Sequence, residues 1–529
     1  MTNLIIAISL ANLCFFRILA WQHSYFVAPP FGINLIGWML DVLLFALLMW
    51  TGFLLAKKYG GKHGMFAVRL GFLFFTVIAI RNLYRHFVGV LSLPMLSALV
   101  GKALAILITI LVAVLIILVI SREFQNVIRA ARAFVIVLSP FALILFSQTI
   151  WLTIQTDLRP SVEKSPIEKP ARSPKLSKRI VLIIFDELDY SLTFDNRPHS
   201  LKIPELQRFA DESFSATNAY PPSGNTDSSI PALTTGRLVE ETREKSQNEL
   251  QIRFADANEF TSWKTAGIFS KINDMGGTNA VVGWHHPYCR VFRDILERCT
   301  TDYSFSLRRL SGNHEDTLLE SMVNYFRRFG LTLPIIKHLV STYFDFTSKH
   351  VAYIKTTKNV SAEAKKLSVD KDLSFALLHY PVPHSPYIYS RENGRFVETG
   401  GANYFDNLAL TDALLGELRT EMENADIWEK TIVVVTSDHW WRGDFSDKAG
   451  LWTKEELADI SAAKNFRVPF IIKPFEEPGE ATAPIIYDKE FNTVLVHDLL
   501  LAMLSDQIAS KKDIALWLDE HRSIGKSPY

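Results

Sequence analysis

The first 155 residues constrain this chain most, because Leu, Ile, Phe, Ala and Val dominate them while residues 160–529 read as an ordinary soluble protein. Several apolar stretches approach the roughly 20 residues that a helix needs to cross a bilayer. Their bounds are Asn3–Trp21, Ile33–Leu55, Met65–Ile80, Ser97–Ile120 and Phe134–Ile154. The sequence therefore predicts an α-helical membrane domain of about five transmembrane helices over residues 1–155.

Lys and Arg in the short connections predict the orientation of these helices. The connections after the second and fourth stretches are basic, and that after the first has neither Lys nor Arg; the basic residues are Lys57, Lys58, Lys62, Arg122, Arg129 and Arg132. Arg81 and Arg85, after the third stretch, give a weaker contrary signal. The bias predicts a multi-pass protein of the inner (cytoplasmic) membrane, with its N-terminus inside and everything beyond Ile154 outside the cytoplasm. The first stretch lacks a basic start and a small-residue cleavage site, so we interpret it as an anchor.

Charge and cysteine content narrow the class of protein further. A net charge of +1, with no basic stripe, argues against a nucleic-acid binder and leaves the membrane as the implied partner. Of three cysteines, Cys289 and Cys299 lie close together in the polar part. In an exported domain a local disulfide between them is the favoured interpretation. Two unpaired buried thiols are the alternative.

Beyond the membrane domain the pattern changes. Residues 156–178 mix Pro, Ser, Lys and Glu without an apolar period, which is typical of a linker. Short apolar runs then alternate with helical patterns such as Asn407–Asn424, as expected for strands buried on both faces of a sheet. The runs are Arg179–Phe185, Leu373–Leu378, Thr431–Thr436 and Val468–Ile472. Residues 179–529 are thus predicted to form an α/β sandwich domain with a mainly parallel central sheet.

Reactive side chains follow three of these runs, where ligand sites of parallel sheets gather. They are Asp186-Glu187, the segment from His379 to His384, and Asp438-His439. Singly, each has an ordinary explanation as a helix cap or a hydrogen-bonded core histidine. Together they indicate a site for one divalent metal ion. Carboxylates with imidazole suit zinc or manganese best, and magnesium and calcium are alternatives.

A fourth segment, Tyr220–Leu238, supplies a hydroxyl. A polar loop runs into an apolar helical pattern that ends at Gly236, and Thr226 lies near the predicted helix start. Free backbone N–H groups and the helix dipole favour an anion there. A threonine oxygen that ligates a cation would have a lowered pKa and could attack phosphorus. The alternative is that Thr226 or a neighbour simply caps the helix.

These motifs together resemble the sulfatase-like branch of the alkaline phosphatase superfamily over roughly residues 179–500. With apolar spans ahead of the domain, the chain is similar to membrane-bound lipoteichoic acid synthases and phosphoethanolamine transferases. The resemblance rests on the strand that precedes Asp186-Glu187, on Ser437-Asp438-His439, and on Thr226 placed nine residues before Thr235-Gly236-Arg237. Phe491–Leu504 is similar to the closing strand and helix of that family.

The resemblance implies roles for individual residues. The metal would be held by Asp186, Asp438, His439 and the oxygen of Thr226, with Glu187 as a further ligand or a neighbour of the ligands. His384 resembles a histidine that holds substrate or protonates the leaving group. His379 is a weaker candidate for substrate binding. Arg237 is expected to brace its loop, with substrate contact as the alternative.

Two departures from the family patterns limit the reaction. Sulfatases need Cys or Ser at the nucleophile position for conversion to formylglycine, whereas this chain has Thr226. Phosphoethanolamine transferases typically carry several disulfides and a His-Gly-x-His-Gly-Pro-like stretch, whereas this chain has His-Tyr-Pro-Val-Pro-His-Ser-Pro at 379–386. The head group transferred is therefore open.

Three functions fit these observations. The first is a transferase that moves a phospho-head group from a phospholipid to a glycan or lipid acceptor of the cell envelope through a phospho-threonine intermediate. The second is an anchored phosphodiesterase or phosphatase, with water as the acceptor. The third is a non-catalytic envelope assembly protein, which the full set of site residues disfavours. Trp284-His285-His286 could bind a second metal, but surface-loop residues are the favoured interpretation. Aromatic stretches such as Tyr325–Phe329 and Tyr343–Phe346 either line a path for lipid or pack in a core.

Overall fold

The computed structural model describes residues 2–20, 25–26, 32–87, 122–155, 164–165, 176–302, 317–333, 349–443, 451–463, 466–475 and 483–522. The chain divides into two compact units. The helical unit comprises Met1–His23, Pro29–Ser161 and Arg309–Asp345. The α/β unit comprises Ser24–Ala28, Val162–Arg308 and Phe346–Tyr529.

The described helices, in chain order, are α1 (Thr2–Ala20), α2 (Gly32–Tyr59), α3 (Gly61–Phe87), α4 (Phe124–Val137), α5 (Ser139–Gln155), α6 (Pro204–Glu212), α7 (Thr226–Thr235), α8 (Trp263–Ala266), α9 (Ile268–Asp274), α10 (Tyr288–Val291), α11 (Leu318–Thr332), α12 (Lys349–Ser368), α13 (Tyr404–Asn424), α14 (Lys454–Ala462), α15 (Val496–Leu504) and α16 (Lys511–His521). A π-helical turn at Ser191–Asp195 and a 3-10 turn at Thr493–Leu495 complete the helical segments of this part of the chain.

The described strands are β1 (Lys164–Ser165), β2 (Arg179–Asp186), β3 (Phe214–Ala216), β4 (Ala219–Tyr220), β5 (Val239–Ser246), β6 (Glu249–Phe254), β7 (Phe260–Ser262), β8 (Asn279–Trp284), β9 (Arg298–Asp302), β10 (Phe375–Pro383), β11 (Tyr389–Ser390), β12 (Arg395–Phe396), β13 (Thr431–Ser437), β14 (Phe470–Lys473), β15 (Ile485–Tyr487) and β16 (Phe491–Asn492).

Three stretches of the helical unit are long and apolar enough to cross a membrane: Gly32–Tyr59, Gly61–Tyr84 and Phe124–Ile154. They contain the second, third and fifth predicted stretches, which indicates a membrane-associated N-terminal part. The third helix is longer than its predicted span. The predicted stretch Ser97–Ile120 lies outside the described residues, so the count of five stays a prediction.

Helix α11 belongs to the helical unit although it follows β9 in the chain. A capping box, in which Thr317 and Glu320 bond each other's backbone N–H, fixes its start. Phe329 stacks on Phe15 of α1 with ring centroids 4.7 Å apart. Gly37 of α2 allows the close approach of the same helix. The stretch Tyr325–Phe329 therefore packs in the core of this unit, whereas Tyr343–Phe346 lies outside the described residues.

A nine-stranded sheet forms the centre of the α/β unit, in the order β1-β9-β8-β10-β2-β13-β14-β3-β15. The five consecutive strands from β9 to β13 are mutually parallel. Strand β14, which contains most of the predicted run Val468–Ile472, pairs antiparallel with β13. The prediction of an α/β domain with a mainly parallel sheet is thus confirmed.

Successive side chains of β2 point to opposite faces of the sheet, so they pack alternately in two apolar layers. Ile184 packs in the same cluster as Ile230 of α7. Phe185 packs in the opposite cluster with Phe405 of α13. The next residue, Asp186, ends the strand. It therefore points to the face that carries α7.

Candidate active site

Four side chains predicted to share a metal lie together at the carboxyl edge of the sheet. Asp186 ends β2 and Asp438 follows β13, which is the neighbouring parallel strand. His439 Nε2 lies 3.7 Å from Asp186 Oδ1 and 3.4 Å from Asp438 Oδ2. The same nitrogen is 3.4 Å from Thr226 Oγ1. These side chains thus converge on one point, although Asp186 and His439 are 253 positions apart in the sequence.

Helix α7 places the Thr226 hydroxyl at this point. Asn225 caps the helix by accepting a hydrogen bond from Ser228 N at 3.0 Å, so Thr226 is the first helical residue. At the other end, Gly236 has φ of +73°. A Cβ there would lie 2.6 Å from His497 Nδ1, so both conformation and space require glycine. The start of α7 lies beside the acidic strand ends, since Thr226 Oγ1 is 3.4 Å from His439 Nε2.

The chemistry of the site fits a divalent cation. Both carboxylate oxygens of Asp186 and Oδ2 of Asp438 are buried without a hydrogen-bond partner among the described residues. Burial, together with the carboxylates of Asp438 and Glu187, raises the pKa of Asp186 well above its ordinary value. Such a concentration of buried negative charge is stabilised by a bound cation. No group in the described residues fixes which metal that is.

His379 lies beside the carboxylates of Asp186 and Asp438, although the sequence predicts it only as a weak candidate for substrate binding. One ring nitrogen of His379 and one oxygen each of Asp186 and Asp438 lie within 4.8 Å of one another. Its Nδ1 is 2.8 Å from Tyr288 Oη, and its buried Nε2 has no hydrogen-bond partner among the described residues. Burial lowers the pKa of His379 to about 3, so the ring is neutral and able to bind a cation. The weak substrate-binding candidate is therefore also a candidate ligand.

Glu187 and His384 lie beside this group. Glu187 has φ of +66°, and its N–H donates to Asp438 Oδ1 at 3.2 Å. Its carboxylate accepts from Arg442 Nε at 3.0 Å and lies 4.0 Å from His384 Nε2. Burial lowers the pKa of His384. Arg442, which sequence reasoning missed, is half-exposed and supplies positive charge next to the carboxylates.

Arg237 lies at the β5–β6 hairpin. Its Nη2 is 2.5 Å from Asp256 Oδ1, and its guanidinium lies over the Phe254 ring at 3.9 Å. These contacts are those of a residue that braces a loop. They give no support to the substrate-contact alternative.

A second group of possible ligands flanks the nucleophile segment, and it consists of Asp227, His285 and His286. His285 Nε2 is 2.6 Å from Asp227 Oδ1, and His286 Nε2 is 3.3 Å from the carbonyl oxygen of Thr226. The interpretation of both histidines as surface-loop residues is wrong for His286, which is fully buried. A signal was present in the sequence, because the buried strand Asn279–Trp284 directly precedes them.

The sulfur atoms of Cys289 and Cys299 are bonded, with 5.5 Å between the Cα atoms. The pair joins the short helix α10 to strand β9. The third cysteine, Cys14, is buried in α1. The favoured pairing of the two polar-part cysteines is therefore the one present.

A hydroxyl, two carboxylates and an imidazole lie together at the carboxyl edge of the parallel sheet, which is the arrangement that the resemblance to the alkaline phosphatase superfamily implies. Residues 307–495 match the family model described as Sulfatase, which agrees with the predicted sulfatase-like superfamily. The matched range includes His379, His384, Asp438 and His439.

Individual proteins give the degree of similarity. Human arylsulfatase K is 24% identical over 321 residues, which cover 55% of this chain and 58% of that protein. The chain thus spans less than two thirds of this relative. A solved protein in the alkaline phosphatase superfamily from Vibrio parahaemolyticus is 17% identical with a TM-score of 0.37, covering 65% of this chain and 70% of its own. The phosphonate monoester hydrolase of Agrobacterium radiobacter is 13% identical with a TM-score of 0.36. This match covers 62% of this chain and 74% of the hydrolase.

Proposed function

We propose that this protein is a membrane-anchored, metal-dependent transferase that moves a phospho-head group from a phospholipid to a cell-envelope acceptor. The observation that carries the proposal is the position of Thr226 Oγ1. It lies at the start of a helix, 3.4 Å from His439 Nε2 and beside buried carboxylate oxygens of Asp186 and Asp438 that lack hydrogen-bond partners among the described residues. A hydroxyl in this setting is suited to attack phosphorus.

The reaction proceeds in two displacements. Thr226 Oγ1 attacks the phosphodiester and passes its proton to solvent, and the bond from phosphorus to the lipid alcohol breaks. His384 is the proposed group that holds the phosphate or protonates the leaving oxygen. An acceptor hydroxyl then attacks phospho-Thr226 and restores the threonine. Asp186, Asp438, His439 and Thr226 would hold a divalent ion, which would supply positive charge to stabilise the phosphoryl oxygens.

Sulfate-ester cleavage is a less suitable reaction for this site, although the curated relative is named an arylsulfatase. The usual route needs an aldehyde formed from Cys or Ser at the nucleophile position. Thr226 has a methyl group on Cβ, so its oxidation would give a ketone. The neighbouring Ser229 donates its hydroxyl to the Ser223 carbonyl at 2.9 Å and is fully buried. Phosphorus esters therefore suit the nucleophile better.

The second candidate is a phosphodiesterase or phosphatase that keeps the same first step. The match of residues 307–495 to the sulfatase family and the similarity to arylsulfatase K support this candidate. The two candidates differ only in what attacks phospho-Thr226. Water would give a hydrolase, and a glycan or lipid hydroxyl would give a transferase.

The proposed surroundings follow from the apolar helices. A donor phospholipid would lie in the membrane that these helices are long and apolar enough to cross. We place the protein in the inner membrane with the N-terminus inside and the α/β unit outside the cytoplasm, because of the Lys and Arg distribution. The proposed partners are the membrane, a phospholipid donor and a glycan or lipid acceptor, without nucleic acid. Zinc or manganese is the proposed metal.

Mass spectrometry of the full-length protein after incubation with head-group-labelled phospholipids tests the proposal. We expect a labelled phosphoryl group on Thr226, and Thr226→Ala should abolish both the label and turnover. The matched control is Thr217→Ala, since Thr217 lies outside the site and bonds the Tyr487 carbonyl. Equal turnover by wild type and Thr226→Ala would contradict the mechanism. Head-group release into water without acceptor would select the hydrolase, and absence of any turnover would favour a non-catalytic protein.

A further inference from the structure

Tyr25 lies in the connection between α1 and α2, yet its contacts are within the α/β unit. It is fully buried there. Its backbone N–H donates to Glu244 Oε2 at 3.0 Å, and its carbonyl accepts from Arg290 Nη2 at 2.5 Å. The ring of the next residue, Phe26, lies 5.2 Å from that of His285. Tyr25 and Phe26 are thus held against the residues that flank the nucleophile.

The side chain of Tyr25 continues this contact to the nucleophile. Its Oη is 3.2 Å from His286 Nδ1, and His286 Nε2 is 3.3 Å from the carbonyl oxygen of Thr226. A carbonyl oxygen only accepts hydrogen bonds, so Nε2 carries the proton. A neutral buried ring then has a lone pair at Nδ1, to which the tyrosine hydroxyl donates. The two bonds together fix one tautomer and one orientation of the imidazole.

We infer that Tyr25 is a positioning residue for the nucleophile, an inference that rests on the proposed function of Thr226. The peptide of Thr226 begins α7, and its orientation sets where Oγ1 stands relative to His439 and Asp438. His286 holds the carbonyl of that peptide, and His285 holds the next side chain, Asp227. Tyr25 fixes His286. Tyr25 therefore contributes to the active site through His286.

A double-mutant cycle on the full-length protein in nanodiscs tests this role, with a fluorescent head-group phospholipid as the probe. Tyr25→Phe removes only the hydroxyl, and we expect kcat to fall by about tenfold with KM unchanged, since one buried hydrogen bond is lost. His286→Gln keeps a donor that can reach the Thr226 carbonyl but has no acceptor in place of Nδ1. In that background Tyr25→Phe should have no further effect, because the two residues act as one chain of bonds.

Tyr487→Phe is the matched control, because this buried tyrosine also donates its hydroxyl to a side chain, Asp519, at 2.9 Å. It should leave kcat unchanged, and both phenylalanine variants should unfold at nearly the same temperature as wild type. A kcat of Tyr25→Phe equal to that of wild type would overturn the inference and leave the proposed function standing. A thermal loss confined to Tyr25→Phe, or equal effects of Tyr25→Phe in both backgrounds, would reduce Tyr25 to a packing residue.

A readout without turnover separates this inference from the proposed function. In protein with 15N-labelled histidine, Tyr25→Phe should shift the ring signals of His286, which are assigned by their loss in His286→Gln. Unchanged signals would overturn the inference even if turnover fell. Wild-type protein that turned over no phospholipid would defeat the proposed function, and the spectra would still decide whether Tyr25 fixes the imidazole.

Discussion

The polar atoms left without partners are the most informative single-residue feature of the site. Asp186 has two such buried oxygens among the described residues, Asp438 has one, and His379 has its Nε2. An unsatisfied buried polar atom typically costs about 1–3 kcal/mol. Such a group of atoms at one sheet edge is therefore expected to be completed by a ligand, and acidic oxygens with a neutral imidazole select a cation.

His379→Ala tests whether this histidine is one of the ligands. We expect the affinity for zinc or manganese to fall by at least about tenfold, because one donor is lost from the group. Tyr288→Phe, which removes the hydroxyl at 2.8 Å from Nδ1, should weaken binding less. The measurement is metal competition against a chelator dye with purified full-length protein. His497→Ala is the control, since His497 is equally buried but pairs with Asp498 away from the strand ends. Unchanged metal affinity with a raised KM would make His379 a substrate contact instead.

The site residues that the sequence predicts lie next to a recognisable pattern in the sequence, whereas the residues that it misses are brought to the site only by the fold. Asp186 and Asp438 directly follow continuous apolar runs, so the rule for parallel sheets places them without a structure. The hydrogen-bonded side chains of Asp227 and His285 are 58 residues apart in the sequence, and those of Glu187 and Arg442 are 255 residues apart. Tyr25 comes from the membrane half of the sequence. Contacts of this kind depend on the fold and leave no pattern along the chain.

At the scale of elements, strands of the sheet centre were the most predictable. The run Arg179–Phe185 became β2 with one additional residue, and Thr431–Thr436 became β13 with one. Burial on both faces requires a continuous apolar run, which is visible in the sequence. Helix α11 was not predicted as part of the helical unit. Its charged residues, including Glu320 and Arg327, lower its hydropathy, and only its contacts with α1 and α2 reveal where it packs.

Gly37→Val tests whether α11 depends on the close approach to α2. A Cβ at Gly37 would lie 2.8 Å from Ser321 Oγ, so valine would force the helices apart at a cost of about 1–3 kcal/mol. We expect a lower midpoint of thermal unfolding in detergent. Gly52→Val is the matched control, because Gly52 lies in the same helix with open space around its Cβ position. Equal midpoints for the two variants would show that the contact between Gly37 and Ser321 does not limit stability.

At the scale of the whole molecule, a buried carboxylate outside the predicted metal site lowers the free energy of unfolding at neutral pH. Asp412 of α13 is buried, and its Oδ1 accepts from Leu206 N at 2.7 Å in the first turn of α6. Burial raises its pKa from 3.8 to about 6 despite that bond. The folded protein therefore binds a proton at Asp412 between these pH values, where the unfolded chain has lost it. The free energy of unfolding that this group contributes is fully present below pH 3.8 and is lost as the pH rises through about 6.

Asp412→Asn should remove this dependence. The amide oxygen can still accept from Leu206 N, and no charge is buried, so the variant should gain up to about 3 kcal/mol relative to wild type above pH 6 and little below pH 4. The measurement is the thermal unfolding midpoint of both proteins in detergent across pH 4 to 8. Asp211→Asn is the control, since Asp211 is exposed on α6 and accepts a hydrogen bond from Gln207 Nε2 at 3.0 Å. A parallel pH profile for wild type and Asp412→Asn would mean that the carboxylate keeps its ordinary pKa in the folded protein, and that the α6–α13 contact carries no cost of charge burial.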